Sequence, residues 1–64
     1  MITKEQHQEI VESYQEYQKH DGDMKFGQYF LNQLTKFNYN PVDPTLFSET
    51  DYDKAYVDSL RYIK

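Results

Sequence analysis

The 64-residue chain has no cysteine and no tryptophan, one arginine, and only two glycines and two prolines. The missing cysteines exclude a disulfide framework and thiolate metal sites, so stability makes no demand on an oxidising compartment. Two isolated glycines, Gly22 and Gly27, cannot build a glycine-rich phosphate loop. No apolar run approaches the roughly 20 residues of a membrane-spanning helix. Met1-Ile2-Thr3-Lys4-Glu5 has neither the basic nor the apolar region of a signal peptide. Together these absences predict a complete, soluble, cytoplasmic chain that makes no use of a membrane.

Positive charge is scarce as well. Seven bases stand against 11 acids, and the net charge of -4 is spread along the chain rather than gathered in one tail. Such a surface repels phosphate backbones, and Arg61 alone offers little for reading base edges. Direct nucleic-acid binding is disfavoured on this ground. A DNA-reading helix-turn-helix is disfavoured further by the twelve residues before the last expected helix, since such motifs turn in three or four.

Aromatic side chains are plentiful. Four Phe and seven Tyr accompany three Ile, three Val and four Leu. A chain of this size removes only about 60% of its unfolded surface from water, so the aromatics must supply much of the core. Tyrosine suits this because its ring can be buried while its hydroxyl stays at the surface.

The periodicity predicts an all-α fold, a small three-helix domain spanning residues 1–64. Thr3-Lys4-Glu5-Gln6 has capping-box spacing, and His7, Ile10, Tyr14 and Tyr17, with Val11 beside them, form the apolar stripe of a helix running to about Lys19. Glu9, Glu12, Glu16 and Lys19 fall off that stripe. In His20-Asp21-Gly22-Asp23, Gly22 is expected to adopt the left-handed conformation and Asp23 to cap the next helix. Met24 to Phe37 carries the tightest stripe, Phe26, Phe30, Leu34 and Phe37, widened by Tyr29 and Leu31, which places this helix at the centre. Gly27 on it weakens the helix by about 1 kcal/mol relative to Ala, a cost that fits a site where another backbone comes close.

A long proline-containing connection, Asn38 to Glu49, follows. Asp43-Pro44 can start one short helical turn carrying Leu46 and Phe47 into the core. Gln28, Asn32 and Thr35 are placed to hold the carbonyls of this connection. Thr50 or Asp51 caps a last helix whose buried face is Tyr52, Ala55, Tyr56, Ser59, Leu60 and Ile63.

Little in this pattern points to catalysis. Asp21-Gly22-Asp23 resembles the start of a calcium loop, but Lys25 at its fifth position, Gly27 at its seventh and Asn32 at its twelfth do not match. His7 and His20 are more than three helical turns apart and share no metal-ligand spacing. His7 is expected to be partly buried and His20 solvent-facing. No Ser, Thr or Lys has an activating neighbour, so neither an enzyme nor a cofactor or metal site is expected. Glu49, Asp51, Asp53 and Asp58 gather at the start and outer face of the last helix, where the macrodipole favours acids. Alternatively they form an acidic patch that meets a basic protein surface, and Tyr39, Val57 and Tyr62, lying off the helical stripes, with Asp51 and Asp53 beside them, are the candidate contacts to a partner.

Lys25-Phe26-Gly27-Gln28-Tyr29-Phe30-Leu31-Asn32 followed by Leu46-Phe47-Ser48-Glu49-Thr50-Asp51 resembles a pattern in short, uncharacterised proteins of tailed bacteriophages and prophages. There a basic residue precedes Gly-Gln, an Asn follows four residues after the Gln, and a Leu-Phe pair leads into an acidic helix start. The likeness covers about residues 25 to 60; Lys25 stands where Arg is common and Ser48 where an aromatic is. It implies an origin among phage proteins that bind and disable a host or defence protein, anti-CRISPR inhibitors included, through a basic surface on that partner. Self-association as a homo-oligomer is the alternative, because a core this poor in aliphatics gains from burying outlying tyrosines against a copy of itself.

Overall fold

Thr3 opens the fold as expected. In the computed structural model, which describes residues 1–64, the Thr3 hydroxyl accepts from the Gln6 N–H at 3.0 Å and the Gln6 side chain accepts from the Thr3 N–H at 2.9 Å. This reciprocal cap starts helix α1 (Lys4–Lys19). His7, Ile10, Val11 and Tyr14 are buried along one face of α1, with Tyr17 half-buried.

The turn after α1 differs from expectation in two respects. Asp21, not Gly22, takes the left-handed conformation, with φ 62°; a short polar side chain tolerates that region. Gly22 is needed for space instead, since a Cβ there would run into the Tyr17 ring. The Tyr17 hydroxyl reaches past it to accept from the Met24 N–H at 3.1 Å. Asp23 caps nothing. Helix α2 (Phe26–Leu34) starts after Lys25, which makes no side-chain cap.

Helix α2 is central, packed against α1 and the two helices that follow. Phe26, Gly27, Tyr29, Phe30, Leu31 and Leu34 are all buried, the wide apolar arc that several neighbours require. One 3-10 turn, Thr35–Phe37, extends it, and Asn38 ends it in the left-handed conformation at φ 58°.

The domain is all-α with four helices where three were expected. Asp43 caps and Pro44 begins a short helix α3 (Pro44–Ser48) inside the connection. Leu46 is completely buried, but Phe47 is 46% exposed. Neighbouring residues on a helix point about 100° apart, and α3, with Leu46 turned onto α2, leaves Phe47 on its flank. Three residues, Glu49 to Asp51, then lead to helix α4 (Tyr52–Ser59). That turn is as short as a helix-turn-helix allows, so connection length is no objection to that motif; the acids at the start of α4 remain one.

Asp51 caps α4, its carboxylate accepting from the Asp53 N–H at 3.0 Å and the Lys54 N–H at 3.4 Å. Only the middle of the expected face is fully covered. Ala55 and Ser59 are buried, Tyr56 and Ile63 are half-buried, and Tyr52 and Leu60 reach solvent. A last 3-10 turn, Leu60–Tyr62, brings Ile63 beside Ile2, where Ile2 N–H donates to Tyr62 O at 2.9 Å and Lys64 N–H to Ile2 O at 2.7 Å. No helix is long and apolar enough to cross a membrane.

Gly27 accounts for how α3 is seated. A Cβ on Gly27 would collide with the Leu46 carbonyl oxygen and lie 2.9 Å from its carbon. The obstacle is backbone, which cannot swing aside as a side chain can. Gly27→Ala is therefore expected to lower stability by about 1–3 kcal/mol despite the better helix propensity of Ala. Gly22→Ala, which meets the Tyr17 side chain rather than backbone, should cost less; thermal denaturation of the two variants side by side measures the difference.

Candidate functional site

The connection from α2 to α3 is held by one carboxylate. Asp43 Oδ1 accepts from the Leu46 N–H at 3.1 Å, while Oδ2 accepts from the Tyr62 hydroxyl at 2.6 Å and from Arg61 Nη2 at 2.9 Å. The hydrogen bonds from Tyr62 and Leu46 hold the Asp43 carboxyl below its usual range. Burial, then the Asp43 contact, push the Tyr62 hydroxyl up to about 12. The Tyr62 ring packs at 5.7 Å from Phe30 and 5.9 Å from Tyr39. Tyr39 and Tyr62, singled out from the sequence as outlying aromatics, are thus half-buried parts of this clamp.

Between α2 and the clamped connection lies an open groove of about 410 Å³, lined by Leu31, Asn32, Thr35, the segment Asn40 to Pro44, and Phe47. Val42 stands on its rim, 95% exposed. Residues singled out together from the sequence divide here: Gly27 and Leu46 make the backbone contact beneath α3, whereas Asn32 and Phe47 line the groove. The amides do not hold the connection as expected. Asn32 Nδ2 donates to Met24 Sδ at 3.4 Å and the Thr35 hydroxyl to Asn32 O at 2.8 Å; Gln28 makes no side-chain hydrogen bond within the chain. The Asp43 carboxylate does that work.

The remaining candidates lie elsewhere. Val57 is 61% exposed on the outer face of α4. Asp51 is occupied as a cap, and Asp53 is exposed beside it. A second acidic feature was visible in the sequence only as Glu9, Glu12 and Glu16 falling off the apolar stripe, without being read as a site. Glu5, Glu9, Glu12 and Glu16 are all exposed and recur at steps of four, three and four, which lines them up on the side of α1 opposite the buried face. Of the four, only Glu16 pairs with a lysine, Lys19 at 3.9 Å, and His20 Nε2 lies 3.4 Å from its other carboxylate oxygen. The signal was in the spacing of the acids, which is visible only when polar periodicity is tracked as closely as apolar.

His7 also gains a partner that spacing along the chain could not show. Its Nε2 lies 2.8 Å from Ser59 Oγ, 52 residues away, and Ser59 donates its own proton to the Tyr56 carbonyl at 2.6 Å. With the hydroxyl proton so committed, His7 Nε2 is the donor. Tyr29 treats Ser13 in the same way: the Tyr29 hydroxyl donates to Ser13 Oγ at 2.8 Å, and Ser13 donates to the Ile10 carbonyl at 3.0 Å. Ser59 is fully buried, and the pair joins α1 to α4.

Comparison with protein families, with curated proteins and with solved structures finds no match to this chain.

Two pH responses follow from these contacts. Burial, which leaves His7 only 3% exposed, lowers its pKa below the ordinary 6.5. The unfolded chain then takes up the proton first, so stability present above that value falls as pH drops through it, by at most about 1.4 kcal/mol per pH unit. His7→Gln should flatten this slope in denaturant titrations between about pH 7.5 and about pH 5. At the alkaline end, Tyr62 contributes stability that is complete below the ordinary 10.0 and is lost as pH rises towards about 12. Tyr62→Phe should reduce that loss, leaving the smaller share of Tyr14 and Tyr52, whose hydroxyls burial also raises.

Proposed function

We propose that this chain is a non-catalytic binding protein of bacteriophage type that occupies a basic surface on a host or defence protein and so modulates or inhibits it. The observation that carries this reading is the line of Glu5, Glu9, Glu12 and Glu16, four exposed acids on one ridge of a rigid helix. Eleven residues of helix span about 16 Å, and acids spaced about 6 Å apart over that length suit a strip of Lys and Arg such as a nucleic-acid channel presents. Complementary charge of this kind chiefly speeds encounter and selects partners. Asp53 and Val57 on α4 remain candidate contacts, and Asp51 contributes as the cap that holds them in place.

The supporting likeness to short phage proteins rests on Lys25 to Asn32 and Leu46 to Asp51. A phage-encoded chain of this kind would act in the bacterial host cytoplasm, and an anti-CRISPR or other anti-defence role belongs to the same reading. A DNA-binding helical module is a poorer fit because α4 opens with acids.

The test begins with immobilised protein and lysate of a bacterial host, and proceeds to the purified partner that is retained. Affinity should fall steeply with salt, and replacing Glu9, Glu12 and Glu16 by Gln should weaken it by about tenfold or more while circular dichroism is unchanged. Asp53→Lys should weaken it if α4 shares the contact. Binding that ignores both salt and the triple replacement would refute the acidic-ridge reading.

A further inference from the structure

We propose that the groove between the start of α1 and the end of α4 binds a small, neutral aromatic molecule that donates one N–H or O–H to His7 Nδ1. That nitrogen carries the argument. His7 Nε2 donates to Ser59 Oγ at 2.8 Å, so Nδ1 is the unprotonated acceptor of the ring, and it has no hydrogen-bond partner within the chain. Every fully enclosed side-chain nitrogen and oxygen is partnered, which means that Nδ1 reaches the surface. The groove is the opening that His7 lines. Because His7 is otherwise buried, the acceptor sits low in this hollow, where a hydrogen bond competes with little bulk water. Burial also lowers the His7 pKa below the ordinary 6.5, which preserves the acceptor near neutral pH.

The walls suit an aromatic body. Tyr56 stands with its ring 5.5 Å from that of His7 and at 77° to it, and Leu60, 41% exposed, and half-buried Ile63 complete the apolar side. A flat ring can lie against these three side chains while its N–H or O–H points to Nδ1. Lys4 and Glu5 face it from α1 with opposite charges, so an ion of either sign meets a like charge there and a neutral ligand does not.

Size separates a small molecule from a protein partner. The groove holds about 390 Å³, within the roughly 300–1,000 Å³ of small-molecule sites. Seven residues line it, whereas a protein interface engages about 20–30 a side. Of the ridge glutamates only Glu5 borders the groove, so this inference does not rest on the proposed function.

Indole and N-methylindole test it, since they differ by one methyl in place of the donated hydrogen. Followed by amide and imidazole NMR, indole should bind saturably with a Kd on the order of 0.1–1 mM. The shifts should centre on His7, Tyr56, Leu60 and Ile63, and the Nδ1 resonance should move upfield, as that of an imidazole nitrogen does on accepting a hydrogen bond. N-methylindole should bind at least about tenfold more weakly, although apolar burial alone would make it the tighter of the two. Leu60→Asp should weaken indole by about tenfold while circular dichroism is unchanged. Equal or tighter binding of N-methylindole, a stationary Nδ1 resonance, binding that survives Leu60→Asp, or no saturation by about 5 mM indole would overturn the proposal.

Discussion

The close approach of the Leu46 carbonyl to Gly27 is the contact on which the second half of the molecule depends. Helix α3 has five residues, too few to be stable alone, because the first turn of a helix costs more order than one hydrogen bond returns. It persists because its backbone lies directly on α2 where a side chain is missing, and because Leu46 fills the space so created. Once α3 is seated, Asp43 is fixed at its N-terminus with an oxygen to spare. That oxygen gathers Tyr62 and Arg61 and closes the C-terminal turn onto the connection.

The rest of the core shows how a chain rich in tyrosine disposes of its hydroxyls. Tyr14 donates to Met24 O at 2.9 Å, Tyr29 to Ser13, and Tyr62 to Asp43, while Tyr17 accepts from Met24 N–H. No buried side-chain nitrogen or oxygen lacks a partner, as the cost of an unpaired buried polar group requires. The rings meanwhile pack edge to face and in offset stacks, from Tyr14 through Phe26 to Tyr52 and Tyr56. Aromatic area replaces the aliphatic side chains that the chain lacks.

Charge and apolar exposure are segregated on the surface that results. The outer ridge of α1 carries a row of glutamates, and the groove at the end of α4 exposes Leu60 beside one charge of each sign. Two chemically unlike surfaces on one small domain can serve two unlike contacts, because a salt-sensitive ridge and a groove for a neutral ring select different occupants.

Long periodic segments were legible in the sequence. The Thr3 capping box, the buried face of α1 and the Asp51 cap follow from local spacing, since each depends on residues within one or two helical turns; the wide apolar arc of α2 and the glycine on it pointed to close neighbours without naming them. Positions where the neighbour is distant in sequence were not legible. The role of Gly22 depends on the Tyr17 ring, the exposure of Phe47 on the orientation of a single turn, and the partner of His7 on a serine in the last helix. The sequence by itself determined an acidic, cysteine-free, all-helical domain and the faces that α1 and α2 bury. Only the tertiary structure decided that α3 is a separate helix, that Tyr39 and Tyr62 belong to a clamp around Asp43, and that Val42 stands beside an open groove. Local hydrogen bonding and apolar period set the first group, whereas the second required the chain to return on itself.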